Sequence, residues 1–204
     1  MFSVYLLKDK FQTLLRPLSD GCATLGLTAN FVTISAFVLS CVVGGAVYVL
    51  TLQNALWYWL LPIALFLRMA LNAVDGMMAR EHNQQSALGA VLNELGDILS
   101  DCVIYVPFLY VSGISEQLIL IFSILTIVSE TVGVMGVQIG ASRRYDGPMG
   151  KSDRAFWFGV WAAISAHCTI SANVSAILTE TLCFLLIYTI INRIYHALKE
   201  VKNK

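Results

Sequence analysis

Apolar residues run through this chain in long unbroken blocks, and polar residues interrupt them at a few defined places. Residues 31–67 contain no Asp, Glu, Lys or Arg, and neither do residues 155–179. A bilayer-crossing helix needs about 20 consecutive, mostly apolar residues. The blocks predict six spans, at 31–52, 56–79, 88–111, 118–140, 155–171 and 176–195. Ahead of them, Val4, Leu7, Phe11, Leu14, Leu15 and Leu18 recur at helical spacing, with Lys8, Asp9, Lys10 and Arg16 on other faces. That pattern predicts an amphipathic helix over 4–18 lying in the membrane interface, ended by Pro17 and Gly21. The expected fold is therefore all-α and integral to a membrane, in one domain over 1–204. It comprises an interfacial helix within 1–20, a six-helix bundle over 31–195 and a basic cytoplasmic tail at 196–204.

Composition supports the same class. Of 204 residues, 57% are hydrophobic and 13% charged, with mean hydropathy +0.72, against about 25% charged in soluble domains. A soluble helical core could not hide this much apolar length. The formal net charge is zero, which gives no support for a nucleic-acid partner. Five cysteines (22, 41, 102, 168, 183) lie scattered in apolar segments without metal-ligand or CxxC spacing and read as small apolar residues. The first residues, MFSVYLLKDKFQ, carry lysines after the apolar stretch and no small-residue cleavage site, so no signal peptide is expected.

Charge also predicts orientation. Six spans put both termini on one side, and the connections at 53–55, 112–117 and 172–175 hold none of the 13 Lys and Arg residues. By the positive-inside rule both termini are cytoplasmic, and so are the ends of spans two and three that meet at the polar turn 81–86. Trp57, Tyr58 and Trp59 at the other end of span two read as interface anchors.

Acidic and amide side chains inside such spans call for a functional reason, because burying them in lipid is costly. In span two, Arg68, Asn72 and Asp75 are spaced i, i+4, i+7 and share one helix face. In span three, Gly89, Asn93, Asp97 and Asp101 repeat every four residues, with Glu94 to the side. As an antiparallel pair, the two spans can turn these stripes towards each other. Convergent hard oxygen donors suit Mg²⁺ or Mn²⁺. Arg80 offers a fork to phosphate, and Gly76, Ala79 and Gly89 remove bulk so that a nucleotide or helix can approach.

The run Asn72-Ala-Val-Asp75-Gly76-Met-Met-Ala79-Arg80, eight residues, then Gly89-Ala-Val-Leu-Asn93-Glu-Leu-Gly-Asp97 resembles the signature of the CDP-alcohol phosphatidyltransferase family, D-x-x-D-G-x-x-A-R-x8-G-x-x-x-D-x-x-x-D. Its spacing is complete, and Asn72 and Asn93 replace two of the four family aspartates. Thr28-Ala29-Asn30-Phe-Val-Thr33 likewise resembles the family segment L-T-P-N-x-I-T. The asparagine pattern resembles an enterobacterial-type branch.

The resemblance implies transfer of a phosphatidyl or similar phospho-group from a CDP-alcohol such as CDP-diacylglycerol to a small alcohol acceptor, with release of CMP, in phospholipid biosynthesis. It implies metal positions at Asn72, Asp75, Asn93 and Asp97, with Asp97 also the general base, and a nucleotide site at Gly76, Ala79, Arg80 and Gly89. It further implies a homodimer in the bacterial inner membrane among membrane lipids, with the active site cytoplasmic. With two amides in the set, Asp101 or Glu94 could supply missing charge, and one tightly held ion or weaker metal affinity is expected.

Residues 142–154, SRRYDGPMGKSDR, gather Arg143, Arg144, Lys151 and Arg154. Two readings stay open: positive-inside topology with anionic lipid contact, or a pocket for an acceptor phosphate, which favours glycerol phosphate over inositol, serine or another neutral alcohol. Gly150-Lys151-Ser152 is not a nucleotide loop, since Tyr145 replaces the required glycine and no strand precedes it. Glu130, mid-span, is expected to pair with Arg68 or to bind acceptor. His82 is expected to be solvated or to touch phosphate. His167 has no expected role, and His196 is expected at the interface. Two other classes remain: a cation transporter, against which no inverted repeat is visible, and a family member that binds nucleotide without catalysis.

Overall fold

The computed structural model describes residues 8–110 and 114–204. Val4 and Leu7 of the expected amphipathic helix, and residues 112–113 of one expected connection, lie outside the described residues. Among the described residues seven α-helices follow one another: α1 (Lys8–Thr24), α2 (Ala29–Leu50), α3 (Leu60–Glu81), α4 (Ala87–Tyr105), α5 (Glu116–Gln138), α6 (Lys151–Ser165) and α7 (Ala172–Lys202). Short 3₁₀ turns at Ala55–Trp59 and Val106–Tyr110 lead into α3 and out of α4. Among the described residues there is no strand.

Four of these elements, Ala29–Leu50, Ala55–Glu81, Glu116–Gln138 and Ala172–Lys202, are long and apolar enough to cross a membrane. Their outward faces are apolar, with Val42, Ile63, Phe66, Phe184 and Ile191 all exposed. An apolar exterior of this extent is built for lipid rather than water, and the chain is a membrane protein. The other two expected spans differ. Helix α4 carries Glu94, Asp97 and Asp101, and α6 has 15 residues, about 22 Å at 1.5 Å per residue against a hydrocarbon thickness of about 30 Å.

Helix boundaries correct the sequence reading in three places. First, α1 does not stop at Pro17 or Gly21 but continues to Thr24. An interior proline costs a helix about 3 kcal/mol, and tertiary packing offsets it here. Leu15, Cys22 and Ala23 pack with Leu27 onto Ala29, Val32, Val74, Met77 and Met78. Arg16 adds hydrogen bonds to both carboxylate oxygens of Glu81, at 3.2 and 3.1 Å. Second, α6 starts at Lys151 rather than 155, because the Asp153 carboxylate accepts from the Gly150 N–H at 3.2 Å and caps the first turn. Its end at Ser165 leaves 166–171 as the connection to α7, so residues 172–175 are helical rather than a loop. Third, residues 196–202 are no separate tail: α7 runs through them, with Ala197 buried.

Helix α2 packs against both α3 and α4, α5 against α7, and α3 against α6. Gly44 lets α2 meet α4 closely, since a Cβ there would lie 2.8 Å from the carbonyl oxygen of Val103. The main core is aromatic. Phe158 of α6 stacks within 4.3 Å of Tyr105, 4.8 Å of Phe108 and 4.9 Å of Phe122 between ring centroids, and Trp161 joins them. Tyr58 is buried, its hydroxyl donating to the carbonyl of Pro107 at 3.3 Å, so it is a core residue and not an interface anchor; Trp57 and Trp59 remain exposed. Leu65 and Ala155 of the aromatic core and Ala29 of the smaller cluster under α1 line one shared cavity.

Candidate functional site

The local fold brings the polar stripes together. Ser86 caps α4, its hydroxyl accepting from the Gly89 N–H at 2.9 Å. Gln84 ties the 82–86 turn to the start of α2, its side-chain oxygen accepting from the Ala29 N–H at 2.6 Å. Gly89 allows Asn30 to lie against α4, where a Cβ would be 2.6 Å from the Asn30 Oδ1. With α2 packed on both α3 and α4, the stripes face each other through their side chains.

A cavity of about 1190 Å³ opens between these helices and α6. Asn72, Asp75, Asn93 and Asp97 line it, as do Gly76, Ala79, Arg80 and Gly89. The structure thus gathers all eight motif residues on one cavity. Asp75 is 5% exposed, and the Thr33 hydroxyl donates to its carboxylate at 2.6 Å. Arg80 folds over Gly76, where a Cβ would meet its Nη1 at 3.2 Å. The first turns of α4 and α6 both reach the cavity, so the positive ends of two helix dipoles favour an anion there. The cavity also has an apolar arm between α1, α3 and α6, walled by Phe11, Leu65, Phe66, Phe156 and Val160.

Asp97 is the most heavily partnered motif residue. It accepts from the Asn72 amide at 3.1 Å, forms an ion pair with Lys151, and lies 3.5 Å from Arg68, which also donates to the Asp97 backbone carbonyl at 3.0 Å. Behind it runs a buried ladder of alternating charge. Arg68 pairs with Asp101; Arg154 donates to Asp101 from Nε at 3.1 Å and Nη2 at 2.8 Å and to Glu130 at 2.9 Å; Arg193 lies 3.5 Å from Glu130. The ladder corrects one expectation: Glu130 pairs with Arg154 and Arg193, while Arg68 is taken by Asp101 on the nearer helix.

The basic cluster divides. Arg143 and Lys151 line the cavity. Arg143 also makes a bidentate pair with Glu94, at 2.6 and 2.8 Å. Arg154 is fully buried in the ladder, and Arg144 pairs with Asp146 and Glu200, each at 2.7 Å. The hydrogen bond that Arg144 donates to the Asp146 carboxylate holds its guanidinium above its ordinary range. Of the two charge reserves, Asp101 is held by Arg68 and Arg154, and Glu94 by Arg143. His82 lies 3.0 Å from Asp20, and His167 accepts from the Trp59 indole N–H at 2.8 Å.

Among the described residues no three His, Cys, Asp or Glu side chains group to hold a metal. At the four motif positions on the cavity, 72, 75, 93 and 97, the oxygen donors are two carboxylates and two amides. Their two negative charges match a single divalent cation of the hard, oxygen-preferring kind, so the donor set fits one such ion.

Sequence reasoning missed two members of the site, Thr33 and Arg193, and named Lys151 for an acceptor phosphate without its pairing to Asp97. Thr33 had a signal, since it ends the Thr28-to-Thr33 segment. Lys151 and Arg193 had none as partners, because their neighbours come from helices far away in sequence.

A family model for CDP-alcohol phosphatidyltransferase matches residues 26–198. Inner membrane protein YnbA of Escherichia coli (strain K12) is 42% identical over 191 residues, covering 94% of each chain. Phosphatidylinositol phosphate synthase PgsA1 of Mycobacterium tuberculosis shares the fold. Its structure with CDP-DAG bound gives a TM-score of 0.70 at 20% identity over 91% of this chain and 94% of that one. Its complex with manganese and citrate gives 0.71 at 19% identity over 90% and 88%.

Proposed function

We propose that this chain, which belongs to the CDP-alcohol phosphatidyltransferase family and is a membrane transferase of substituted phosphate groups, moves phosphatidyl from CDP-diacylglycerol to the hydroxyl of a phosphorylated alcohol. The observation that carries this reading is the cavity, which joins the eight motif residues, apolar walls and the cationic side chains of Arg143, Lys151 and Arg193 in one space. The apolar walls suit acyl chains. Arg80 and the first turn of α4 suit the pyrophosphate, and Arg143 and Lys151 suit an acceptor phosphate such as that of glycerol phosphate.

The acceptor oxygen forms a bond to the phosphorus that carries diacylglycerol. The bond from that phosphorus to the CMP oxygen breaks, CMP leaves with the electron pair, and the hydroxyl proton passes to Asp97. Asp75, Asn93 and Asp97, with Asn72 beside them, would hold one Mg²⁺ or Mn²⁺, whose charge offsets that developing on the pyrophosphate. Thr33 holds Asp75 in place. All six helices α2 to α7 span the bilayer in this reading, α1 lies in the interface, and the site faces the cytoplasm. The charge-free connections at 53–55 and 166–171 support that orientation.

The test is purified protein in lipid with CDP-diacylglycerol, Mn²⁺ or Mg²⁺, and glycerol phosphate, inositol phosphate, inositol or serine. CMP release with a phosphorylated acceptor is expected. Release with neutral acceptors alone would overturn the acceptor class, and no CMP with any of them would overturn the reaction.

A further inference from the structure

We propose that Asn72 is a positioning residue for Asp97, and that with Arg68 and Lys151 it forms a three-donor clamp on one oxygen of that carboxylate; the clamp rests on the reading of Asp97 as the base. The Asn72 amide nitrogen is 3.1 Å from Asp97 Oδ1, Lys151 Nζ pairs with the same Oδ1, and Arg68 Nη2 lies 3.5 Å from it. The amide can be oriented in only one sense here. A carboxylate accepts and does not donate, so the NH₂ group faces it. The hydrogen bonds from Asn72 and Lys151 and the nearest approach of Arg68 all fall on Oδ1. Oδ2 is the oxygen left to face the ion and the acceptor hydroxyl.

The chemistry of position 72 follows from this geometry. An aspartate there would set a second anion against Asp97 at hydrogen-bonding distance, with no hydrogen to donate to it. Asparagine turns the same contact into a bond. Its nitrogen is spent on Asp97, so the residue orients the base; the ion is left to Asp75, Asn93 and Asp97, and the Mn²⁺ measurement below decides whether the remaining amide oxygen also meets it. Arg68 and Asn72 come from α3 and Lys151 from α6, so the carboxylate is gripped from two sides. Arg68 is itself fixed by Asp101.

Two measurements test the clamp. In the first, Asn72→Ala and Asn72→Asp are assayed for CMP release. A hydrogen bond to a charged group is worth about tenfold or more in a rate that depends on it, and a misplaced base costs about 10²-fold. Asn72→Ala should therefore lower kcat about tenfold with the donor KM unchanged, and Asn72→Asp should lower it further. A faster Asn72→Asp enzyme, which is what a restored metal ligand would give, overturns the proposal. In the second, Mn²⁺ binding is read by electron paramagnetic resonance on purified protein without substrate. Asn72→Ala should keep its Mn²⁺ affinity within about twofold, whereas loss of a ligand would weaken it about tenfold or more and sink the clamp. If the wild type releases no CMP, the reaction assignment fails while the Mn²⁺ measurement still decides the role of Asn72. If it turns over but binds no Mn²⁺, the metal assignment fails while kcat decides.

Discussion

Replacing Asp101 by Asn keeps the side-chain volume and removes one charge from the centre of the buried ladder. Asp101 is 2% exposed and receives Arg68 on one oxygen and two donors of Arg154 on the other. Breaking a buried pair by removing one partner costs about 3–5 kcal/mol, because the other charge stays buried and uncompensated. The lower end applies here. Arg154 keeps Glu130 and the Met149 carbonyl, and Arg68 keeps Asp97. At about 2–4 °C per kcal/mol for a chain of this size, a loss of about 3 kcal/mol lowers the midpoint of thermal unfolding by about 6–12 °C. Fluorescence-monitored melting in one fixed detergent measures it.

The same ladder sets the order of related variants. Arg154→Met alone leaves Arg68 with Asp101 and Arg193 with Glu130, two cations against two anions, and should cost less than Asp101→Asn. Combining the two substitutions should recover part of the Asp101→Asn loss, because Arg154 is no longer left with an unmatched charge. A melting midpoint for Asp101→Asn within 2 °C of wild type, or a double variant worse than the sum of the singles, would refute the reasoning.

Two glycines give further predictions. Gly44→Leu forces α2 away from the Val103 backbone, where even a Cβ would sit 2.8 Å from the carbonyl oxygen. Overpacking of this kind costs about 1–3 kcal/mol, read as a lower melting midpoint. Gly147 has φ +116° and a Cβ there would lie 2.8 Å from the Thr189 Cα, so Gly147→Ala must shift the 142–150 loop that precedes Lys151. The acceptor KM should rise while the donor KM holds, in steady-state CMP assays; equal change in both would count against the placement of the acceptor.

The sequence disclosed the parts of this molecule that depend on neighbours along the chain. Helices α2 to α5 begin within two residues of the expected spans once the 3₁₀ turn at Ala55–Trp59 is counted with α3. The motif was legible because its eight residues lie on two consecutive helices at helical spacing. The start of α6 and the end of α7 were misread for one reason: charge was taken as a sign of chain leaving the bundle. Lys151, Arg154 and Arg193 instead point inward, where ion pairs from α4 and α5 meet them. Those partners are 53 to 63 positions away in sequence, and no local pattern encodes them. The same blindness gave Glu130 to Arg68, because residue types alone do not rank which arginine lies nearer.

The central claim is that Asp97 takes the acceptor proton in a transfer that releases CMP, and Asp97→Asn tests it most directly. The variant keeps size and can still sit beside Arg68 and Lys151, but it cannot accept the proton. With CDP-diacylglycerol and Mn²⁺ in lipid, CMP release should fall by about 10²-fold or more, while CDP binding, read by calorimetry, stays within a few fold of wild type. An Asp97→Asn enzyme that turns over at the wild-type rate would contradict the account.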